Sequence, residues 1–567
     1  MCGIHAILST ANAAELSQDL RQALRNRGPD YLGEATRTFP AGASQDLRVL
    51  ARFTSTVLAL RGDHVAKQPF EDPNSGAVFC WNGEAWKIDS QIVDGNDGEA
   101  IFARLSGNKA TGPEPRHAYV LNVLRSIQGP FAFIYYDASS ERLYFGRDRL
   151  GRRSLLMNDG SDGTAVAFSS VADAPHAEWK EVIADGIYSM CFKPYQTEEG
   201  NLSLGASTSK DDWLSSGGAD LVSSIGIFNE ALPQPDVRLD FGSPSVRLLR
   251  HHLTEALKLR ILNVPEPPYA QFDIDTRIAI LFSGGLDCTL LARLADDLLP
   301  EDQGVDLINV AFENPRVAAN FRKDVNVYEA CPDRLTGRKA FGELKKTCPA
   351  RNWRFIAVNV PFEEAMLHKS RVVSLIHPHD TQMDLSIGLA LYFAARGIGD
   401  GYPSRSGSTS PPPSISTPAR VLVSGLGADE LFGGYSRHKS GFERRGYQGL
   451  VDELKLDVSR ISQRNLGRDD RIMAHWGKEV RFPFLDEEFV KVAMQCPVWE
   501  KCDFGNPFHA AIIEPAKRVL RLIADQLGLQ LIAREKKRAI QFGSRTAKIG
   551  QTSGRVRGTD RINEHNT

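Results

Sequence analysis

The chain has 567 residues, 42% hydrophobic and 24% charged, enough apolar content for packed cores and outside the disordered and collagen-like classes. Its 68 Lys and Arg against 70 Asp and Glu leave a net charge of −2, so no overall basic excess draws it to nucleic acid or to an anionic membrane. At about 150 residues per domain the length allows roughly four, but α/β units often exceed that size and two large units account for the chain.

From Cys2 to about Tyr188, short β-type runs alternate with Gly, Asp and Asn clusters: Val57 to Leu60, Ala77 to Trp81, Phe131 to Tyr136 and Leu143 to Phe145. They predict a sheet-rich domain over residues 2–190. Residues 191–245 gather Gly, Ser and Pro and read as a linker. The second half opens with a helix over Val246 to Leu262, on which Leu248, Leu249, His252, Leu253, Ala256 and Leu257 fall at helical spacing. Arg277 to Phe282 then reads as a strand, Ser283 to Asp287 as a turn and Cys288 to Leu299 as a helix. Further strands at Leu307 to Phe312, Phe355 to Val360 and Arg420 to Ser424, separated by helical text, predict a parallel sheet in a domain over 246–547. Ile387 to Ala395 reads as a buried helix. Residues 401–418, rich in Ser and Pro, read as a disordered low-complexity insertion, and 548–567 as a polar tail. No internal repeat is present.

The eight cysteines are scattered, without a Cys-x-x-Cys pair for zinc or redox chemistry, and read as reduced thiols of a cytoplasmic protein. No basic and apolar leader opens the chain and no run reaches about 18 apolar residues, so neither secretion nor membrane spanning is expected.

Cys2 follows the initiator methionine. Once Met1 is removed, thiol and α-amine share one residue, and the amine can serve as base for the thiol. Downstream come Asn26-Arg27-Gly28-Pro29-Asp30, Leu60-Arg61-Gly62, Trp81-Asn82-Gly83-Glu84 and Asn96-Asp97-Gly98-Glu99. Taken singly, Asn82-Gly83 is a hairpin turn and Arg27 to Asp30 a loop. In this order they resemble the glutaminase domain of the N-terminal-nucleophile amidotransferases, an α+β fold of sandwiched antiparallel sheets. The resemblance implies that Cys2 attacks the glutamine amide, that Asn82 and the Gly83 N–H form the oxyanion hole, that Arg61 grips the substrate carboxylate, and that Glu84 and Asp97 hold its ammonium group.

Ser283-Gly284-Gly285-Leu286-Asp287 ends a strand and opens a helix, a position that favours an anion, and it lacks the Lys-Ser/Thr ending of a Walker loop. A second strand-end loop runs Ser424-Gly425-Leu426-Gly427-Ala428-Asp429-Glu430, where Glu430 stands in place of the third glycine of a dinucleotide fingerprint. The two loops resemble those of the asparagine synthetases, whose second domain is an α/β ATP pyrophosphatase with a parallel sheet. Gly477 to Asp486 and Lys517 to Arg521 extend the match over nearly the whole chain. The resemblance implies ATP and pyrophosphate contacts at Phe282, Ser283, Gly284, Gly285, Asp287, Ala311, Ser424, Gly425, Asp429 and Lys517, with Asp287 and Asp429 supporting Mg2+. Implied substrates are glutamine, aspartate and ATP; a homodimer is left open. On composition alone, Lys517 to Arg521, Arg468-Asp469-Asp470-Arg471 and Arg534 to Arg538 read as solvated charge, and the last run is given no role.

Two positions depart from the family pattern. Leu426 replaces a glutamate that faces the acyl-adenylate, and Cys288 replaces a serine. With Asp333 to Arg338, Asn465 to Asp470 and Gln541 to Arg545, these departures resemble the branch called asparagine synthetase domain-containing proteins. The expected activity is glutamine-dependent asparagine synthesis. Leu426 motivates two rivals: a non-catalytic binding or regulatory descendant, and an adenylating enzyme for another acid or amine.

Overall fold

Alternation of apolar side chains builds the first part of the chain, because every second residue of a strand faces the same side. The structure is a computed structural model and describes residues 2–10, 15–40, 48–107, 112–160, 163–173, 178–197, 202–215, 221–234, 237–268, 275–404, 412–506, 513–550 and 557–562. Residues 1–219, 374–379 and 461–477 form one compact unit.

This unit holds two six-stranded antiparallel sheets. In one, Gly3–Ser9 lies between Ala165–Ser169 and Arg48–Val57, with Tyr31–Pro40 at the edge. In the other, Phe131–Asp137 lies between Arg142–Arg147 and Val78–Gly83. Ile4, Ala6, Leu8, Val49, Ala51 and Phe53 of the first sheet share one buried core with Val78, Cys80, Ala132, Ile134, Leu143 and Phe145 of the second. The intervening residues Phe79, Trp81, Phe131, Phe133 and Tyr135 bury the opposite face against Ile101, Leu105, Val120 and Leu124 of helices Asp97–Ser106 and Pro113–Arg125. The second sheet is therefore apolar on both faces, which accounts for the unbroken apolar run from Phe131 to Tyr136.

The run Val57 to Leu60 is mostly not a strand: pairing ends at Val57, and Leu58 to Leu60 continue as loop with Leu58 and Leu60 buried. Within the Gly- and Ser-rich stretch after 191, Ala206–Asp211 is a strand and pairs along its length with Ile187–Phe192.

The second unit comprises residues 220–373, 380–460 and 478–567. Its seven-stranded sheet runs Ser414–Ser416, Ile398–Pro403, Trp353–Val360, Val305–Phe312, Ile278–Leu281, Val421–Val423, Glu479–Arg481. The strands from Trp353–Val360 to Glu479–Arg481 are parallel, and the first two are antiparallel additions. The order of the parallel strands reverses between Ile278–Leu281 and Val421–Val423, and ligands of such sheets bind beyond the carboxyl ends of the strands at that reversal. Both glycine loops leave from those two strands. Helix Gln382–Arg396 is buried as its composition predicts, capped by Thr381 and ended by Gly397 at φ +67°.

The expected disordered insertion is corrected at its ends. Gly399 pairs with Ile415, and Gly401 makes room for that residue, since a Cβ at Gly401 would lie 2.4 Å from the Ile415 side chain. Residues 405–411 lie outside the described residues, as do 551–556 and 563–567 of the polar tail. Between those, Ile562 N–H donates to the Asp380 carbonyl at 2.7 Å. No helix among the described residues is long and apolar enough to cross a membrane.

Candidate functional site

In the first unit, the strand Gly3–Ser9 fixes Cys2 at its start. Gly3 N–H donates to Thr56 Oγ1 at 3.0 Å, and a Cβ on Gly3 would stand 2.7 Å from that oxygen, so only glycine permits the approach. The Cys2 carbonyl accepts from Arg27 Nε at 3.2 Å and its buried thiol faces Gln68 Nε2 at 3.8 Å. Gln68 Oε1 accepts from the Trp81 N–H at 2.9 Å, which brings Cys2 beside the Trp81-Asn82-Gly83-Glu84 segment.

Asn82 is fully buried, and neither polar atom of its side chain has a hydrogen-bond partner among the described residues. Such a group is costly unless something polar comes to meet it. At Gly83 a Cβ would lie 2.6 Å from both Phe131 Cβ and the Pro130 carbonyl. Arg61 lies 3.6 Å from Glu84, donates to the Val93 carbonyl at 2.8 Å and stacks over Trp86. Asp97 accepts from the Trp81 indole at 3.0 Å and the Ala85 N–H at 2.7 Å. Burial holds its carboxyl above the usual range, against the opposing pull of Arg61 and those two donors. The cluster thus joins a thiol, two buried carboxamides, the Arg61 guanidinium and two carboxylates.

Arg468-Asp469-Asp470-Arg471 is not a solvated surface cluster. All four residues of helix Leu466–Ala474 are buried in the first unit. Asp470 pairs with Arg27 at 2.8 Å and accepts the Ser154 N–H at 3.1 Å; Arg471 pairs with Glu181 at 2.6 Å. Burial disfavours the charge of Glu181, yet Arg147, Arg471 and His379 hold its carboxyl at about 2. Charges this buried survive only in pairs: Arg468 pairs with its neighbour Asp469 at 2.8 Å, while Asp470 and Arg471 find partners remote in sequence.

In the second unit, Gly284 sits at φ +78° with its Cα pressed on helix Pro332–Thr347: a Cβ would meet Gly337 N at 2.4 Å. The helix Leu286–Leu298 that follows has no side-chain cap, so its first N–H groups are left for an anion. Phe282, just past strand Ile278–Leu281, and Ala311, on strand Val305–Phe312, are buried, while Ser283 is exposed at the loop. Gly425 backs onto Asp287, where a Cβ would lie 2.8 Å from Asp287 Cβ, and Ser424 N–H donates to the Arg481 carbonyl at 3.0 Å. Leu426, half-buried, donates its N–H to Ser424 Oγ at 3.3 Å.

Lys517 joins the two loops. Its Nζ lies 2.6 Å from Asp287 Oδ2 and 2.7 Å from Asp429 Oδ1. Its backbone is left-handed at φ +55°, a strained conformation for a side-chain-bearing residue, and its N–H donates to the Phe432 carbonyl at 2.9 Å. Burial works against its charge, but Asp287 and Asp429 hold its pKa above the ordinary value. Burial likewise opposes the Asp429 charge, and Lys517 and Lys537 bring that carboxyl down to about 2. Asp287 is moved the other way by burial and by Asp429.

Two composition-based readings fail here. Lys517, Arg518 and Arg521 are buried, so this stretch is not a solvated helix face. Lys537, from the basic run without an assigned role, reaches Asp429 at 2.8 Å and lies over the Tyr435 ring. No signal within Arg534 to Arg538 separates that lysine from its neighbours. Among the described residues Asp287 Oδ1 is buried without a partner, an oxygen donor of the kind a hard ion such as Mg2+ takes.

Residues 1–200 match the glutamine amidotransferase domain family and residues 442–557 the asparagine synthase family. The chain is 34% identical to asparagine synthetase domain-containing protein 1 of Homo sapiens, across 97% of this chain and 95% of that protein. The chain belongs to the asparagine synthetase family. Other asparagine synthetase domain-containing proteins, of Drosophila melanogaster and Saccharomyces cerevisiae, are 31% and 32% identical over 97% and 90% of this chain, and 98% and 86% of theirs. At family level the two domains are those of a glutamine amidotransferase and an ATP-using ligase. A solved glutamine phosphoribosylpyrophosphate amidotransferase from B. subtilis matches 49% of this chain and 60% of its own at 14% identity and TM-score 0.26, too weak to carry an argument.

Proposed function

We propose that the chain is a glutamine-dependent asparagine synthetase-like ligase, with an N-terminal-nucleophile glutaminase in the first unit and an ATP pyrophosphatase site in the second. The observation that carries the reading is Asn82, whose carboxamide is fully buried with neither polar atom partnered among the described residues, beside a backbone that admits only Gly83. That is the state of an oxyanion-stabilising group before its oxygen arrives. After removal of Met1, the Cys2 amine takes the thiol proton and the sulfur attacks the glutamine side-chain carbon. The proton passes to the departing ammonia, and water then frees glutamate from the thioester. Arg61, Glu84 and Asp97 supply the opposite charges that a free amino acid requires.

In the second unit, an aspartate carboxylate oxygen attacks the α-phosphorus of ATP and pyrophosphate leaves; ammonia then attacks the acyl carbon and AMP leaves. The N–H groups of the Ser283 to Gly285 loop and Lys517 would receive the departing pyrophosphate, with Phe282, Ala311, Ser424 and Gly425 beside the nucleotide. Asp287 and Asp429 would hold Mg2+, which when bound offsets phosphate charge and eases departure of the leaving group. The eight free thiols suit a reducing cytoplasmic setting.

Leu426 favours a second reading: without the family's glutamate, the fold would serve as a binding or regulatory protein, or adenylate another acid. Following glutamate, AMP and asparagine from glutamine, aspartate and ATP tests both. Product from the wild type supports the synthetase. Activity that emerges only in Leu426→Glu supports a silenced scaffold, and no glutamate or AMP from either protein overturns the enzyme reading.

A further inference from the structure

Gln68 is a buried carboxamide in the loop between Leu60 and Phe70. A backbone N–H can only donate, so the 2.9 Å contact from Trp81 N fixes the oxygen end of the Gln68 amide. Its NH2 end is thereby turned to the Cys2 sulfur, 3.8 Å away. The edge strand Phe70–Glu71 pairs only with Phe79 and Val78 and stops short of Trp81, and the Gln68 side chain takes up the Trp81 N–H where a strand would have continued. Gly33 packs against the Gln68 backbone so closely that a Cβ would lie 2.3 Å from its carbonyl oxygen. The Trp81 indole is anchored in turn on Asp97 at 3.0 Å. Cys2, Gln68, Trp81 and Asp97 form one directed chain of contacts.

We infer that Gln68 is a positioning residue for Cys2: its NH2 group aims the sulfur and favours the thiolate over the thiol. An N–H donor stabilises the charged form of its acceptor and leaves the proton for another base to take. The inference deepens the glutaminase reading, yet the contact itself needs neither glutamine nor turnover.

The test is the pH dependence of Cys2 alkylation by iodoacetamide in the full-length protein, read by the mass of the N-terminal peptide, with Met1 retention scored in the same spectrum. Gln68→Leu removes the donor. Gln68→Glu keeps an acceptor for Trp81 N–H but faces the sulfur with a carboxylate. The expected result is an inflection moved up by on the order of one pH unit in Gln68→Leu and further in Gln68→Glu, about tenfold slower alkylation near pH 7, and a similar rate on the alkaline plateau. A merely structural role would change the rate at all pH values and leave the inflection in place. If Gln68→Leu does not fold, Gln68→Glu alone decides. Inflections within about 0.2 pH unit of the wild type overturn the inference. A wild type that forms no glutamate while its variants still shift the inflection would instead sink the glutaminase reading and leave Gln68 in its role.

Discussion

Arg27 and Asp470 form a fully buried ion pair at 2.8 Å, and the same guanidinium holds the Cys2 carbonyl at 3.2 Å. The backbone of the candidate nucleophile is thus tied to a residue from the helix Leu466–Ala474. Asp470 also lies 3.8 Å from Arg153. Replacing Asp470 by Ala strips the counter-charge from buried guanidinium groups, a change that costs ~3–5 kcal/mol in comparable interiors. Urea denaturation of the Asp470→Ala protein measures this, and a loss below about 1 kcal/mol would show that the pair is not a main support of the unit.

Lys517 and Lys537 both meet Asp429, but only Lys517 spans to Asp287. Lys517→Ala leaves two carboxylates facing each other in the proposed ATP site. AMP formation is expected to fall by about 10²–10³ and by about tenfold in Lys537→Ala, with glutamate release retained in both. Equal effects of the two variants would contradict the geometry.

Gly434 offers a substitution that adds one carbon and no charge. A Cβ there would lie 1.9 Å from Asp429 Oδ1 and 2.5 Å from Lys517 Cε. Gly434→Ala must displace both and is expected to cut AMP formation by about 10² at unchanged glutamate release. Near-normal AMP formation would mean that Asp429 and Lys517 can work from other positions.

Asp333 gives a pH signature. Burial, only partly offset by Arg538, pushes its carboxyl up to about 7. The folded state therefore binds this proton more tightly than the unfolded chain, and stability falls as pH rises from the ordinary carboxylate range through about 7. Asp333→Asn removes the dependence. Its stability relative to wild type is expected to grow by up to ~4 kcal/mol between pH 4 and pH 8 in denaturant titrations, and a constant difference would refute the assignment.

The residues legible in the sequence are those whose meaning is local. Cys2, Asn82 with Gly83, and the two glycine loops each carry their pattern within a few positions, and the apolar runs gave strands such as Phe131–Asp137. What stayed hidden depends on partners far along the chain. Arg468 to Arg471 has the composition of a solvated helix, and Arg27, Glu181 and Ser154, far away in the chain, explain why Asp470 and Arg471 are buried. Lys537 hides in a basic run, and Gln68 meets Cys2 and Trp81 only once the chain is folded. The strand Arg48–Val57 escaped because its buried end carries Thr54, Ser55 and Thr56, hydroxyls that read as loop.

The placement of residues 461–477 in the first unit also sets an order of events during synthesis. A ribosome must add roughly 250 further residues after the first stretch of this unit before Asp470 exists, on the order of 10–50 s at ordinary translation speeds. Over that interval the sheets around Cys2 can pair, while Arg27 waits for its counter-ion. The Cys2 end of the chain is made first, and its Arg27–Asp470 pair can close only after most of the second unit's residues have been added.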